Sequence, residues 1–174
     1  MGKITFILGG ARSGKSAYAI KIAKDRGKTV AFIATCEPQD PEMKKRIALH
    51  KDNRPGHWKT FEEPTEPTLL LKKIGARFDC IIIDCLTLML SNLMLKGLKE
   101  AAIESQMNKM LSVLNKIKAK SIIISNEVGL GIVPQNKLAR HFRDVAGIIN
   151  QRVASSADEV IFMLSGIPLV LKKK

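Results

Sequence analysis

The stretch Gly9-Gly10-Ala11-Arg12-Ser13-Gly14-Lys15-Ser16, set directly behind the apolar run at residues 4–8, leaves few architectures open to the chain. It fits the spacing GxxxxGK[ST], in which a strand runs into a glycine-rich turn and the turn opens a helix. Glycines let successive backbone N–H groups curl inward, the helix N-terminus adds positive potential, and a lysine ammonium completes a cradle for phosphate. After Ser16, Ala17, Ile20 and Ala23 recur at helical spacing, and the pattern stops near Gly27. The strand-loop-helix setting that the spacing needs is therefore legible. A P-loop follows, with Lys15 reaching the β and γ oxygens of a nucleoside triphosphate and the Ser16 hydroxyl suited to ligate Mg²⁺.

Short apolar runs at residues 29–35, 80–84, 121–125 and 159–164 repeat the character of the first. They are continuous rather than alternating, as strands covered on both faces are, and helix-length segments between them supply crossovers. The expected fold is α/β, a three-layer P-loop NTPase fold with a mostly parallel sheet. Ser165-Gly166 separates residues 161–164 from the apolar residues 169–171, so the last strand is expected to turn back as an antiparallel edge. At 174 residues the chain suits one domain over residues 1–174.

Among the helices, one is expected from the N-cap Asp40 and Pro41 through Met43, Ile47 and His50. A second carries the stripe Ile103, Met107, Met110, Leu111, Leu114 and Ile117. A third starts at Pro134, with Leu138, Phe142, Val145 and Ile149 inward and Arg140 paired with Asp144. Residues 55–67, punctuated by proline, read as an extended surface loop.

Lys and Arg exceed Asp and Glu by 29 to 16, a net charge of +13 that raises the question of nucleic acid or membrane. The lysines are scattered along the expected helices and read as solvated surface; binding phosphate would use only a few of them. One tryptophan and one tyrosine, Trp58 and Tyr18, are too few for base-stacking platforms, and neither Asn115-Lys116-Ile117-Lys118 nor Asn136-Lys137-Leu138-Ala139 makes the guanine-reading NKxD. No nucleic-acid partner is expected. Cys36, Cys80 and Cys85 lack both the even number of a disulfide framework and zinc-ligand spacing, which fits a cytoplasmic protein. Asp84 interrupts the most apolar region, so no membrane span is expected.

Two carboxylates stand at strand ends, where open α/β sheets bind ligands. Asp84 closes residues 80–84 and reads as a Mg²⁺-side carboxylate or a local cap. Glu127, just past residues 121–125, reads as a base, a substrate contact or a cap. Of the histidines, His50 follows Arg46 by one helical turn and precedes Lys51 and Arg54. By residue chemistry it is either a surface histidine among cations or a nucleophile facing a phosphate that those cations hold.

Taken in order, the P-loop words, Ile33-Ala34-Thr35-Cys36, Arg46-Ile47 with His50-Lys51 and Arg54-Pro55, Asp84-Cys85-Leu86-Thr87, and the run Asn126-Glu127-Val128-Gly129-Leu130-Gly131-Ile132-Val133-Pro134 form a specific set. Through Leu138-Ala139-Arg140-His141-Phe142-Arg143-Asp144, Asn150-Gln151 and Ala157-Asp158, the whole chain resembles the bifunctional adenosylcobinamide kinase/adenosylcobinamide-phosphate guanylyltransferases of cobalamin biosynthesis. The resemblance implies two reactions. One phosphorylates the aminopropanol hydroxyl of adenosylcobinamide from ATP or GTP. The other forms a GMP-histidine from GTP and passes GMP to adenosylcobinamide phosphate, giving adenosylcobinamide-GDP.

By that resemblance His50 is the nucleophile. Nucleotide contacts fall on the loop from Gly9 to Ser16, on Ala34, Thr35 and Cys36, on Lys51, Asp52, Asn53 and Arg54, and on Glu62 and Asp84, with Ser16 and Asp84 at the metal. Lys51 and Arg54 are suited to neutralise pyrophosphate, and Glu62 to accept hydrogen bonds from guanine or ribose. A homo-oligomer, trimeric by resemblance, is implied. Met89 departs from the family in replacing an aromatic residue, and residues 93–100 form a short segment. Two other readings use fewer of these features: a plain small-molecule or nucleoside kinase sharing only the P-loop, and a non-catalytic nucleic-acid-binding P-loop module drawing on the charge.

Overall fold

The computed structural model describes residues 2–37, 45, 48, 51 and 54–174. Its centre is a seven-stranded sheet. The strands are β1 (Ile4–Gly9), β2 (Val30–Ala34), β3 (Lys59–Glu62), β4 (Cys80–Asp84), β5 (Lys120–Asn126), β6 (Glu159–Leu164) and β7 (Ile167–Lys173). They lie in the order β3-β2-β4-β5-β1-β6-β7. Every pairing is parallel except β6 with β7, the expected antiparallel edge.

Alternation along the strands feeds two apolar layers. Ile4, Phe6, Ile81, Ile83 and Ile123 face helices α2 (Pro67–Ile74), α3 (Leu86–Leu95), α4 (Glu100–Lys116) and α5 (Lys137–Ser156). Ile7, Ile82, Ile122 and Ile124 face the other way, toward Ala19 and Ala23 of α1 (Lys15–Arg26) and toward Trp58. Both faces being covered explains why β1, β2 and the first four residues of β4 are buried throughout. The α4 stripe Ile103, Met107, Met110, Leu111 and Leu114 is buried, so it is core.

Several expectations change. Residues 55–67 are not only loop: Lys59–Glu62 pairs with β2 as the parallel edge strand β3, a short and mostly exposed segment whose apolar content is too low to show as a strand. Helix α5 begins at Lys137 rather than Pro134, because Asn136 is its N-cap and its side chain accepts the Ala139 N–H at 3.1 Å. Leu138 consequently faces solvent, and Arg140 donates to the carbonyls of Pro134 and Gln135 rather than pairing along the helix. Helices α2 and α3 were not anticipated: α2 is only eight residues long, although Pro67 opens it and Leu71 and Ile74 lie on its buried face, and α3 is almost wholly apolar. Of the helix expected from Asp40, only Lys45, Ala48 and Lys51 are described, and they are helical; the rest lies outside the described residues. Among the described residues no helix is long and apolar enough to cross a membrane.

Candidate nucleotide-binding site

The carboxyl ends of the strands bring the expected residues to one edge. Glu62 ends β3 beside Ala34 of β2, and Ala34 in turn pairs with Asp84 of β4. Gly9 of β1 pairs with Asn126 of β5, and the glycine loop leaves from there. At Gly9 φ is 154°, and an added Cβ would lie 2.5 Å from the Met163 carbonyl oxygen, so only glycine lets β1 pass β6 and turn. Gly14 (φ 94°) is equally left-handed at the helix cap. Arg12 holds φ 56°, an uncommon conformation for a residue with a side chain. The turn between β6 and β7 braces the loop from outside, Gly166 N–H donating to the Ser13 carbonyl at 3.0 Å.

Lys15 is 7% exposed and folds back over its own loop, its Nζ donating to the Gly10 carbonyl at 2.6 Å. Burial pushes its pKa below the ordinary lysine value, against the pull of the Asp84 carboxylate. Nearby Cys85 adds no charge at neutral pH, since burial raises its thiol to about 11. Ser16 Oγ donates to Asp84 Oδ2 at 3.0 Å. A hydroxyl and a carboxylate oxygen so placed are the hard donors that Mg²⁺ takes, so the residues fit that ion. Among the described residues no cluster of His, Cys, Asp and Glu could hold a metal by itself.

On the β2–β3 side, Lys51 Nζ meets Glu62 Oε1 at 2.6 Å, and this bond lowers the Glu62 pKa. The pair is well exposed, so it positions more than it stabilises. The Arg54 guanidinium lies 3.5 Å from the centroid of the Phe32 ring. Burial lowers its pKa, while the charges of Asp84 and Glu62 act to raise it, which places this cation within electrostatic reach of both site carboxylates. His50, Asp52 and Asn53 lie outside the described residues.

Thr35 is fully buried: its hydroxyl donates to the Cys85 carbonyl at 2.7 Å and its N–H to the Asp84 carbonyl at 3.0 Å, so it braces the ends of β2 and β4. Ala34 is 8% exposed and Cys36 partly exposed just beyond it. Glu127 has its N–H on the Gly9 carbonyl at 3.0 Å, and its Oε1 accepts the Gly129 N–H at 2.6 Å, the local cap among its possible roles. Sequence reasoning passed over the amides that tie these ends together. Asn92 Nδ2 donates to the carbonyls of Thr35 and Pro64, and Asn126 Nδ2 to Thr87 Oγ1 at 3.0 Å. Their only signal was polarity within apolar runs.

The family model described as "Cobinamide kinase / cobinamide phosphate guanyltransferase" matches residues 5–171. The chain belongs to this family. Relatives of this cobinamide kinase/guanyltransferase chain include the bifunctional adenosylcobalamin biosynthesis protein CobP of Pseudomonas aeruginosa, 40% identical over 166 residues, with 95% of each chain covered. The corresponding CobU protein of Salmonella typhimurium is 40% identical over 178 residues, covering 95% of this chain and 98% of the relative. In overall shape the chain is similar to the RadB recombinase, with a TM-score of 0.53 at 15% identity over 92% of this chain and 74% of that one. That likeness speaks to the shared P-loop fold alone.

Proposed function

We propose that the chain performs both reactions its family is described by: it phosphorylates the aminopropanol hydroxyl of adenosylcobinamide, then transfers GMP from GTP to the resulting phosphate, making adenosylcobinamide-GDP for cobalamin biosynthesis. The observation that carries this reading is the P-loop corner of Lys15, Ser16 and Asp84 sharing one sheet edge with Lys51, Arg54 and Glu62.

For the kinase step, the amides of Gly10, Ala11, Arg12, Ser13 and Gly14 would hold the phosphates, with Lys15 leaving the Gly10 carbonyl for the β and γ oxygens of ATP or GTP. Ser16 and Asp84 would hold Mg²⁺, which when bound offsets charge on the phosphate oxygens. Positioning carries most of such a reaction. For the second step, the His50 imidazole would attack the α-phosphorus of GTP. A P–N bond forms as the bond to pyrophosphate breaks, and Lys51 and Arg54 are the cations suited to the departing charge. An oxygen of adenosylcobinamide phosphate then takes the GMP and the P–N bond breaks. Ala34, Cys36, Asp52, Asn53 and Glu62 complete the nucleotide contacts in this reading, Glu62 facing guanine or ribose, while Thr35, fully buried and bonded to the Cys85 and Asp84 carbonyls, braces the strand ends behind them instead of touching the nucleotide.

A cytoplasmic location and a trimeric state belong to the same proposal. Support for self-association comes from β7, an edge strand on which Ile167, Leu169, Val170 and Leu171 are all exposed. Incubation with GTP labelled at the α-phosphorus tests the chemistry. Wild-type protein should acquire acid-labile label and release it to adenosylcobinamide phosphate. Absence of protein-bound label, or equal labelling of His50→Ala, would leave only a small-molecule kinase that moves γ-phosphate.

A further inference from the structure

The segment joining β5 to α5 exposes more apolar surface than the fold requires. Leu130 is 81% exposed, Ile132 97% and Val133 58%, and Leu138 in the first turn of α5 is 61% exposed. The segment is nevertheless tied down at both ends. Glu127 N–H is bound to the Gly9 carbonyl and Gly129 N–H to the Glu127 carboxylate, while Arg140 clasps the carbonyls of Pro134 and Gln135 and Asn136 caps α5. Apolar side chains held outward on an anchored loop mark a binding surface.

Resting on the functional reading above, we propose that Leu130, Ile132 and Val133 form the seat of the corrinoid acceptor. Position selects this occupant. An acceptor hydroxyl must come within about 3–3.5 Å of the γ-phosphorus, so the body of the acceptor has to lie beside the phosphate loop. The segment leaves β5 next to β1, and its first residue is bonded to the first residue of that loop. Chemistry agrees with position. A corrinoid presents a methyl-fringed macrocycle and peripheral amides, which suit apolar side chains alternating with the exposed backbone of Gly129 and Gly131. A second copy of the chain has another apolar surface at β7, separated from β5 by β1 and β6.

The test compares wild type with Leu130→Asp/Ile132→Asp in the full chain, using steady-state phosphorylation of adenosylcobinamide, self-labelling by α-labelled GTP without corrinoid, and size-exclusion elution. The expected result is a KM for adenosylcobinamide raised at least tenfold, with the KM for nucleotide and self-labelling within twofold of wild type and elution unchanged. The conservative Leu130→Met/Ile132→Leu should restore most of the corrinoid affinity. An unchanged corrinoid KM overturns the seat, and so does a loss accompanied by altered elution, which would make the segment a contact between copies. Wild-type protein that transfers nothing to the corrinoid would instead sink the functional reading, and with it this occupant.

Discussion

Replacing Lys15 with methionine separates what the P-loop ammonium does for the fold from what it does for a ligand. Methionine keeps the unbranched apolar stem, so packing around α1 is preserved, and the loss is the 2.6 Å bond to the Gly10 carbonyl. A hydrogen bond from a charged donor is worth about 1.5–3 kcal/mol. The lowered pKa of Lys15 means that burial disfavours the charged form by more than its contacts return, so the variant should lose less than about 1.5 kcal/mol of that range. For a chain of this size that is under about 6 °C in Tm. The sign with pH follows. Between the lowered folded value and 10.5 the unfolded chain binds the extra proton, so wild-type stability should gain on the variant as pH rises through that window. Nucleotide binding should behave differently, because charge-assisted contacts to two phosphates vanish together, weakening affinity by about 10²–10³-fold. Thermal melting from pH 7 to 10.5 and calorimetric titration with a non-hydrolysable GTP analogue measure the two effects. A variant that melts more than about 10 °C early, or one that binds the analogue within threefold of wild type, would refute the reasoning.

Other expectations follow from the same edge and the core beneath it. Asp84→Asn should raise the Mg²⁺ concentration needed for half-maximal phosphorylation at least tenfold while melting within a few degrees of wild type, since the asparagine oxygen can still accept from Ser16; a flat Mg²⁺ dependence would contradict the assigned role. Asn150→Ala should destabilise by about 2–3 kcal/mol, read from urea unfolding, because it strands the buried Ser125 hydroxyl that donates to Asn150 Oδ1 at 2.8 Å. Burial raises the Cys80 and Cys85 thiols to about 11 from 9.0, so their contribution to stability is complete below pH 9 and is lost as pH climbs toward 11. Cys80→Ala with Cys85→Ala should therefore flatten the alkaline limb of the stability curve, and an unchanged limb would mean that other groups set it.

The parts of the fold that were legible in advance are those where one physical pattern dominates. Residues 4–8 and 80–84 are continuous apolar runs because both sheet faces are covered, and no helix competes for so short a run followed by Gly9 or closed by Asp84. Helix α4 was readable because its apolar stripe faces one layer. Strand β3 was missed for the opposite reason: an edge strand with three exposed residues out of its four, Lys59, Thr60 and Glu62, shows no apolar run, and its pairing with β2 decides its state. Helix α3 has apolar residues nearly all round, so no periodicity separates it from the strand just before it. At the candidate site, the loop and Asp84 were plain from spacing and strand position. Asn92 and Asn126 were not, and Thr35, expected as a nucleotide contact, is a buried brace instead, because each acts through a bond to a residue remote in sequence.

Two cation groups lie at a single sheet edge, an arrangement that the proposed pair of transfers would use. In the proposed reading Lys15, which belongs to a glycine loop, would act at the outer phosphates, where amides would surround the group that moves to a hydroxyl. Lys51 and Arg54 sit on the β2–β3 side with Glu62, so a nucleotide held there has its own cations for the charge that develops when pyrophosphate leaves. Arg54 links the halves. It feels the charges of both Glu62 and Asp84, the latter the bonded partner of Ser16. Arg54→Ala should therefore impair both reactions, whereas Glu62→Ala should weaken guanylylation with GTP and leave phosphorylation from ATP within a few-fold of wild type. Equal losses in both reactions for Glu62→Ala would mean that the carboxylate serves the shared phosphate cradle rather than guanine or ribose.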